Sequence, residues 1–196
     1  DVDNTTKNKF LSSILTESER ISRLINNILD LEKLATGKEK LDLKLNFIES
    51  TIDKSINSVA QLAQNKGIKI NSVGNKNEEV LYDEDRIQQV LINLLSNAIK
   101  FSQENNGVVS VYTYVNQNKI EVSVEDNGGG IENDELISIF NKFYQSKNQT
   151  ILKPVGSGLG LAISKQIIET HNGKIWAENI KPHGARLTFM LPLNIN

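Results

Sequence analysis

Apolar residues recur at helical spacing along the first part of the chain, between residues 5 and 36. One set follows intervals of three, four and seven and a second set widens it: Phe10, Ile14, Ile21, Leu24, Ile28, Leu31 and Ala35, then Leu11, Leu15, Ile25 and Leu29. This spacing predicts one long helix with a broad apolar face, ending at Gly37. Because the spacing persists over many turns, we expect the face to pack in a helical bundle. The alternative is that the face covers the core of its own domain.

After Gly37 the apolar pattern changes to short segments of two kinds. Alternation of apolar and polar residues predicts strands at 41–47, 68–70, 80–82, 108–115, 120–124, 174–178 and 185–191. Helical spacing predicts helices at 49–66, 84–101, 133–143 and 158–172. Residues 145–155 contain a proline and show no period, which predicts a loop. Neighbouring strands mixed with helices predict an α+β fold, a two-layer sandwich with helices on one face of a largely antiparallel sheet.

The composition narrows the class of protein. Apolar residues make up 38% of the chain and charged residues 23%, which suits a folded core. The net charge is −2, so no basic excess favours a nucleic-acid partner, and we expect none. The absence of cysteine excludes disulfides and thiolate metal sites. No apolar run reaches the roughly 20 residues that span a bilayer, so we expect a cytoplasmic chain, with any membrane anchor elsewhere in a longer parent.

The predicted helix at 84–101 carries a row of polar residues beside its apolar face. Asn93, Asn97 and Lys100 follow one another at spacings of four and three, so they share one side of the helix. Asn is a poor residue for a helix interior, and a solvated surface is the simplest explanation for each one alone. Together they suit a magnesium–phosphate site, because Mg²⁺ accepts amide oxygen ligands and a lysine meets phosphate as a point charge.

Two glycine-rich segments follow. Gly128 to Gly130 come directly after Asp126, at the end of a predicted strand, and a helix rather than a second strand is predicted next. A turn would explain the glycines, but a hairpin turn requires a strand to follow. The carboxylate of Asp126 could accept a hydrogen bond from an exocyclic amine, and the glycines would let a flat ring lie against the backbone. Both features would suit adenine. The second segment, residues 156–162, opens a helix whose N–H groups favour phosphate, and its spacing fits neither a Rossmann nor a Walker motif.

The motifs taken in order resemble one family. NLLSNAIKF (93–101), DNGGGI (126–131), FNKFY (140–144) and GSGLGL (156–161) are similar to the N box, first glycine box, F box and second glycine box of bacterial sensor histidine kinases. That family shares its fold class with the gyrase, Hsp90 and MutL ATPases. The resemblance implies that residues 39–196 form the catalytic ATP-binding domain. Residues 1–38 resemble only the second helix of the dimerisation and phosphotransfer domain.

The resemblance implies a site for ATP and Mg²⁺. Asn97 would ligate Mg²⁺ and act in catalysis with Lys100, which would contact phosphate. Asn93 would support the phosphates, Phe101 would pack near the adenine, and Asp126 would bind the adenine amino group. Further nucleotide contacts are implied for Gly128, Gly130, Ile131, Lys142, Tyr144, Gly156, Gly158, Leu159, Gly160 and Leu161.

A lid over the nucleotide is also implied. Residues 145–155 would close over ATP, and Phe140 and Phe143 would anchor the base of this lid, unless they simply pack in the core. The chain has Gln145 where the family often has arginine. This departure leaves charge stabilisation from that position open.

The implied activity is transfer of the γ-phosphoryl of ATP to a histidine on a separate helix, and from there to a response regulator receiver domain. The parent would be a homodimer through the bundle helix. The two histidines, His171 at a helix end and His183 in a turn, lack the family's acceptor context, so we expect this chain not to phosphorylate itself. The alternatives are a non-catalytic nucleotide-binding scaffold and an ATP hydrolase of the gyrase or MutL kind. Such hydrolases use a glutamate where this chain has Asn93.

Overall fold

The structure, a computed structural model, describes residues 3–36, 40–74, 79–103, 106–116, 118–146 and 157–193. The helices are α1 (Asn4–Ala35), α2 (Ile48–Asn65), α3 (Glu84–Phe101) and α4 (Gly160–Thr170), with a 3-10 helix at Ser138–Phe140. The strands are β1 (Lys44–Phe47), β2 (Lys69–Val73), β3 (Glu79–Tyr82), β4 (Val108–Asn116), β5 (Lys119–Asp126), β6 (Lys174–Asn179) and β7 (Ala185–Pro192). No helix in these ranges is both long enough and apolar enough to cross a membrane.

Five strands form one sheet in the order β2-β4-β5-β7-β6. The β2–β4 pair is parallel and the other three pairs are antiparallel, whereas β1 and β3 form a separate antiparallel pair. The inner face of the sheet and helices α2, α3 and α4 enclose one core, as the buried residues on all of these elements indicate. The predicted two-layer α+β sandwich, with helices on one face of a largely antiparallel sheet, is therefore confirmed.

The core fixes α3 on the sheet. The apolar side of the helix is buried along its whole length: Ile87, Val90, Leu91, Leu94, Leu95, Ala98 and Ile99. Asp83 caps the N-terminus, since its side chain accepts from the Arg86 N–H at 3.1 Å. Glu84 and Lys100 lie in the first and last turns, where their charges complement the helix dipole. Both ends of α3 were predicted from the sequence to the residue.

Helix α1 is only partly covered. Leu31 and Leu34, near its C-terminus, are each 3% exposed and belong to the core. Earlier in the helix the same apolar face is open, with Ile14 64% and Leu15 63% exposed. The last turns of α1 thus lie on the core of the domain, Leu24 is partly covered by it, and the face before Leu24 is exposed. The predicted stop at Gly37 lies outside those residues.

The prediction of a helix at 133–143 is wrong. Residues 133–137 form turns, and only Ser138–Phe140 is helical, as a 3-10 helix. Asn141 is extended, and Phe143 takes a positive φ of 63° while its N–H donates to the Gly158 carbonyl at 2.8 Å. A helix of this length is marginal without tertiary support, so docking against the second glycine segment decides the local conformation. The strand predicted from residue 41 likewise begins later, at Lys44.

His171 ends α4 and links it to α3. The ring is 2% exposed, and its Nε2 accepts from the Asp83 N–H at 3.1 Å. Its Nδ1 lies 2.8 Å from the Ile167 carbonyl, so Nδ1 carries the proton that it donates there and the ring is neutral. Burial lowers the pKa of His171, which favours the same neutral form. His183 lies exposed between β6 and β7.

Candidate functional site

A cleft of about 520 Å³ lies where α3, the segment after β5 and the start of α4 meet. The structure brings these predicted residues together in its wall: Asn93, Asn97, Lys100, Phe101, Asp126, Gly130, Ile131, Tyr144, Gly158, Gly160 and Leu161. They come from segments that are far apart in sequence. The cleft is therefore a product of the tertiary fold, and the order of the motifs along the chain reflects it.

The polar row of α3 faces this cleft because the opposite side of the helix is buried. Within the described residues, the Asn97 side chain has no hydrogen-bond partner, so its amide oxygen is available to a ligand. Asn93 donates to the Ser164 hydroxyl at 2.9 Å, which fixes the orientation of its amide. Burial, followed by the nearby Lys66 charge, lowers the pKa of Lys100. Its ammonium lies 4.5 Å from the centre of the Phe101 ring.

Asp126 places a buried carboxylate at one end of the cleft. The residue ends β5 and is 6% exposed. Its Oδ1 accepts from the Gly128 N–H at 2.8 Å. Burial raises the pKa of Asp126, and backbone hydrogen bonds from Gly128 and Ala185 oppose that rise. These hydrogen bonds hold the carboxylate in one orientation. A hydrogen-bond donor on a ligand would stabilise the ionised form of the carboxylate further.

The first glycine segment packs against the end of α3 and also lines part of the cleft. A Cβ at Gly128 would overlap the carbonyl oxygen of Phe101, so glycine here lets the connection cross the end of α3. Gly130 has a φ of +80°, which favours glycine. A Cβ at Gly129 would meet nothing within 4 Å, and this residue lines the cleft. Open space therefore lies beside Gly129, which belongs to the predicted glycine segment but was not among the predicted nucleotide contacts.

The second glycine segment starts α4 at the wall of the cleft. Gly158 has a φ of +68°, and a Cβ there would lie 2.8 Å from the Tyr144 carbonyl oxygen. A Cβ at Gly160 would overlap the Asn93 side-chain oxygen. Among the residues that the structure describes, no side chain caps this end of α4, so the first-turn N–H groups suit an anion. Gly156 and residues 147–155 of the expected lid lie outside the described residues.

Some predicted residues lie away from the cleft. Leu159 is fully buried in the core. Lys142 does not line the cleft, and its ammonium lies 4.0 Å from the Glu32 carboxylate on α1. Phe140 is buried, whereas Phe143 is 61% exposed. Of the two phenylalanines, only Phe140 packs in the core.

The cleft also contains residues that the sequence did not indicate. Glu135 is 3% exposed, and burial together with a hydrogen bond from the Tyr144 hydroxyl to Glu135 raises the pKa of Tyr144. Ser157, Ala185 and Leu187 line the wall from the second glycine segment and β7, and Asn27 reaches it from α1. Of these positions, only Ser157 lies within a segment that the sequence indicated, the second glycine segment. The other positions depend on which strand and helix lie beside the site.

The donor set fits a nucleotide with a magnesium ion. The cleft offers a buried carboxylate at one end and, on α3, the Asn97 amide oxygen beside a lysine. In the described part of the chain, that oxygen has no hydrogen-bond partner and no side chain caps the start of α4. Mg²⁺ is commonly held by a few protein oxygens together with substrate phosphates and water. This arrangement can bind an amine-bearing ring at the Asp126 end and phosphates along α3 and α4.

The family follows from the sequence match. Residues 82–195 match the family described as histidine kinase-, DNA gyrase B- and HSP90-like ATPase, and this range is more than half of the chain. The chain belongs to this family. The match begins at the end of β3 and contains every residue of the cleft except Asn27.

Relatives and solved structures of this ATPase family agree. Sensor protein kinase WalK of Staphylococcus aureus is 33% identical over 191 residues, which cover 95% of this chain and 45% of WalK. Histidine kinase ThkA in complex with response regulator protein TrrA matches with a TM-score of 0.79 and 28% identity, over 99% of this chain and 53% of that chain. The ThkA catalytic domain alone matches with a TM-score of 0.70 and 29% identity, over 80% and 100% of the two chains. The chain thus spans less than half the length of the WalK proteins it matches.

Proposed function

We propose that this chain is the ATP-binding catalytic region of a two-component sensor histidine kinase. The observation that carries the proposal is the convergence of Asn97, Lys100 and Asp126 in one cleft, within a chain of this ATPase family. In this proposal residues 39–196 are the catalytic domain. Residues 1–38 are the second helix of the dimerisation and phosphotransfer domain.

Recognition of adenine is assigned to the Asp126 end of the cleft. The carboxylate of Asp126 accepts a hydrogen bond from the adenine amino group, while Phe101 and Ile131 offer apolar contact to the ring. Burial of Asp126 favours such a donor, since pairing offsets the cost of burying its charge. The open space beside Gly129 leaves room for the ring to approach backbone.

The phosphates are assigned to the α3 row and the start of α4. Lys100 and the first-turn N–H groups of α4 bind phosphate oxygens, and Asn93 supports them from a fixed orientation. The Asn97 amide oxygen is the proposed magnesium ligand. The bound metal would neutralise charge on the phosphates, and the protein supplies mainly positioning and charge stabilisation.

The proposed reaction is phosphoryl transfer to histidine. The bond between the γ-phosphorus and the β–γ bridging oxygen breaks, a phosphorus–nitrogen bond to an imidazole forms, and ADP leaves. The imidazole loses the proton on its other nitrogen to water. The acceptor histidine belongs to a helix outside this chain, because His171 is buried and neutral and His183 lies in an exposed turn. Asn93 supports transfer over hydrolysis, because an amide cannot act as a general base for water.

The proposed partners are a response regulator receiver domain and a second copy of the parent. The receiver domain would take the phosphoryl group onto an aspartate, and the solved complex of ThkA with a response regulator supports this kind of partner. The second copy would cover the open face of α1, where Ile14 and Leu15 are exposed. A bundle is the usual solution for a long helix with such a face.

Phosphotransfer in trans tests the proposal. The chain is mixed with Mg²⁺ and γ-labelled ATP and a separate helical peptide or domain that carries the family's acceptor histidine. We expect acid-labile label on that histidine, and none on this chain or on an acceptor with the histidine replaced by alanine. Release of free phosphate without labelled acceptor would point to a hydrolase. Absence of nucleotide binding would point to a scaffold.

A further inference from the structure

The C-terminal turns of α1 are fastened to the catalytic domain by specific contacts. The Asp30 Oδ2 atom accepts from the Arg86 guanidinium at 3.2 Å and from the Gln89 amide at 3.3 Å. The side chains of the Arg86–Asp30 pair are 16% and 28% exposed, so solvent screens the pair less than a surface ion pair. Leu31 and Leu34 are buried, and α1 contacts α4. The end of α1 therefore has a defined position on the domain.

This position brings one α1 side chain into the nucleotide cleft. Asp30 lies against Arg86 and Gln89, and Asn27, one turn earlier on α1, lines the cleft together with Asn93, one turn later on α3. Asn27 and Asp30, three residues apart, therefore both lie on the side of α1 that faces the catalytic domain. Asn27 is half-buried, and its neighbour Asn26 is exposed and does not line the cleft.

We propose that Asn27 is a nucleotide-binding residue supplied by α1, and that Asp30 is the positioning residue that holds it in place. This inference rests on the proposed function, since it assigns Asn27 to the phosphate end of the same cleft. Asn93, which marks that end, touches the start of α4 at Gly160. An amide N–H at Asn27 can donate to a phosphate oxygen there without adding charge. The catalytic domain alone would then hold an incomplete site.

A consequence is reciprocal coupling between the nucleotide and α1. If Asn27 contacts the nucleotide only when α1 is docked, the nucleotide stabilises docking by the same factor by which docking tightens nucleotide binding. A movement of α1 away from α3 would weaken nucleotide binding. The helix that we assign to the phosphotransfer domain is thereby linked to the occupancy of the cleft.

The test compares two neighbouring asparagines in the whole chain. Affinity for a non-hydrolysable ATP analogue with Mg²⁺ is measured by calorimetry for the wild type, Asn27→Ala, Asn26→Ala and Asp30→Ala. We expect Asn27→Ala to weaken binding roughly two- to tenfold, as for one lost hydrogen bond, and Asn26→Ala to match the wild type. Asp30→Ala should also weaken binding, although Asp30 does not line the cleft.

Hydrogen exchange separates this role from a merely structural one. The analogue should slow amide exchange across residues 24–34 in the wild type and in Asn26→Ala, and it should slow it less in Asn27→Ala and Asp30→Ala. Equal affinities for Asn27→Ala and Asn26→Ala would overturn the inference while leaving the proposed function intact. No binding by the wild type would overturn both. Equal slowing of exchange in all variants would also contradict the coupling.

Discussion

Helices α3 and α1 carry the same kind of apolar pattern and meet different surroundings. On α3, Leu94 and Leu95 are at most 1% exposed. On α1, Ile14 and Leu15 are each more than 60% exposed, and cover begins only at Leu24, which is partly buried. Apolar spacing therefore shows that a helix needs a partner surface, but it does not show whether that surface lies within the same chain.

The difference matters for the cleft. Because its apolar side is buried along its length, α3 holds Asn93, Asn97 and Lys100 in fixed positions on the wall of the cleft. Helix α1 is fastened at one end and contributes only Asn27. A rigid helix thus supplies most of the polar groups of the site, and a helix with an open face supplies one. The predictions below test this contrast, in order of decreasing effect.

The largest effect is expected from truncating one leucine on each helix. Leu94→Ala should lower the free energy of unfolding by about 2–5 kcal/mol, because it leaves a cavity in the core. Leu15→Ala should change it by less than about 0.5 kcal/mol, as at an exposed position. Urea denaturation at a concentration where the chain is monomeric measures both. Similar losses in the two variants would contradict the contrast between the helices.

Asp126 tests the ligand end of the cleft. Asp126→Asn should weaken ATP binding by about 1–3 kcal/mol, since it removes a charge-assisted hydrogen bond. The melting temperature should not fall, because burial disfavours the charge that the variant removes. Calorimetry and thermal unfolding measure the two effects. Glu125→Gln is the matched control, since Glu125 pairs with Arg186 away from the cleft, and its affinity should equal that of the wild type.

A substitution of Asn97 tests the end of the cleft where we propose that magnesium binds. Asn97→Ala should abolish the gain in nucleotide affinity that Mg²⁺ provides, an effect of about 1 kcal/mol for one lost polar ligand. Gln88→Ala removes an amide from the same helix outside the cleft, and it should retain the Mg²⁺ dependence. Titrations of both variants with and without Mg²⁺ decide the question. A Mg²⁺ dependence that survives in Asn97→Ala would exclude Asn97 as the ligand.

A substitution of His171 tests the hydrogen bond between this ring and the start of α3. We expect its effect on stability to be the smallest of the four. Its pKa in the folded state lies below the unfolded value of about 6.5, so below that pH the unfolded chain binds more protons. The His171 contribution to stability is therefore complete above about pH 6.5 and is lost as the pH falls. Urea denaturation across this range should show a weaker pH dependence for His171→Gln than for the wild type.

The helices and strands were largely predictable because local pattern and tertiary packing agree. For α3, the cap at Asp83, the acidic first turn and the apolar spacing all indicate the same bounds. For residues 133–143, local pattern and tertiary packing conflict. The sequence favours a helix, but Phe143 takes a positive φ and its N–H donates to the Gly158 carbonyl. Local propensity cannot reveal such a long-range contact.

The site was predictable where one segment carries several of its groups. The spacing of Asn93, Asn97 and Lys100 on one helix, and of Asp126 before glycines, is visible in the sequence. Asn27 and Leu187 were not predictable, because only the packing of α1 and β7 brings them to the cleft. Gly128 shows the limit of motif reasoning: its missing side chain makes room for the Phe101 carbonyl, which no motif indicates.

The most direct test of the central claim is a calorimetric titration of this chain with a non-hydrolysable ATP analogue, with and without Mg²⁺. The account predicts saturable binding of one nucleotide per chain that Mg²⁺ tightens, because Asn97 and Asp126 line one cleft. Absence of binding, or binding that Mg²⁺ does not change, would contradict it.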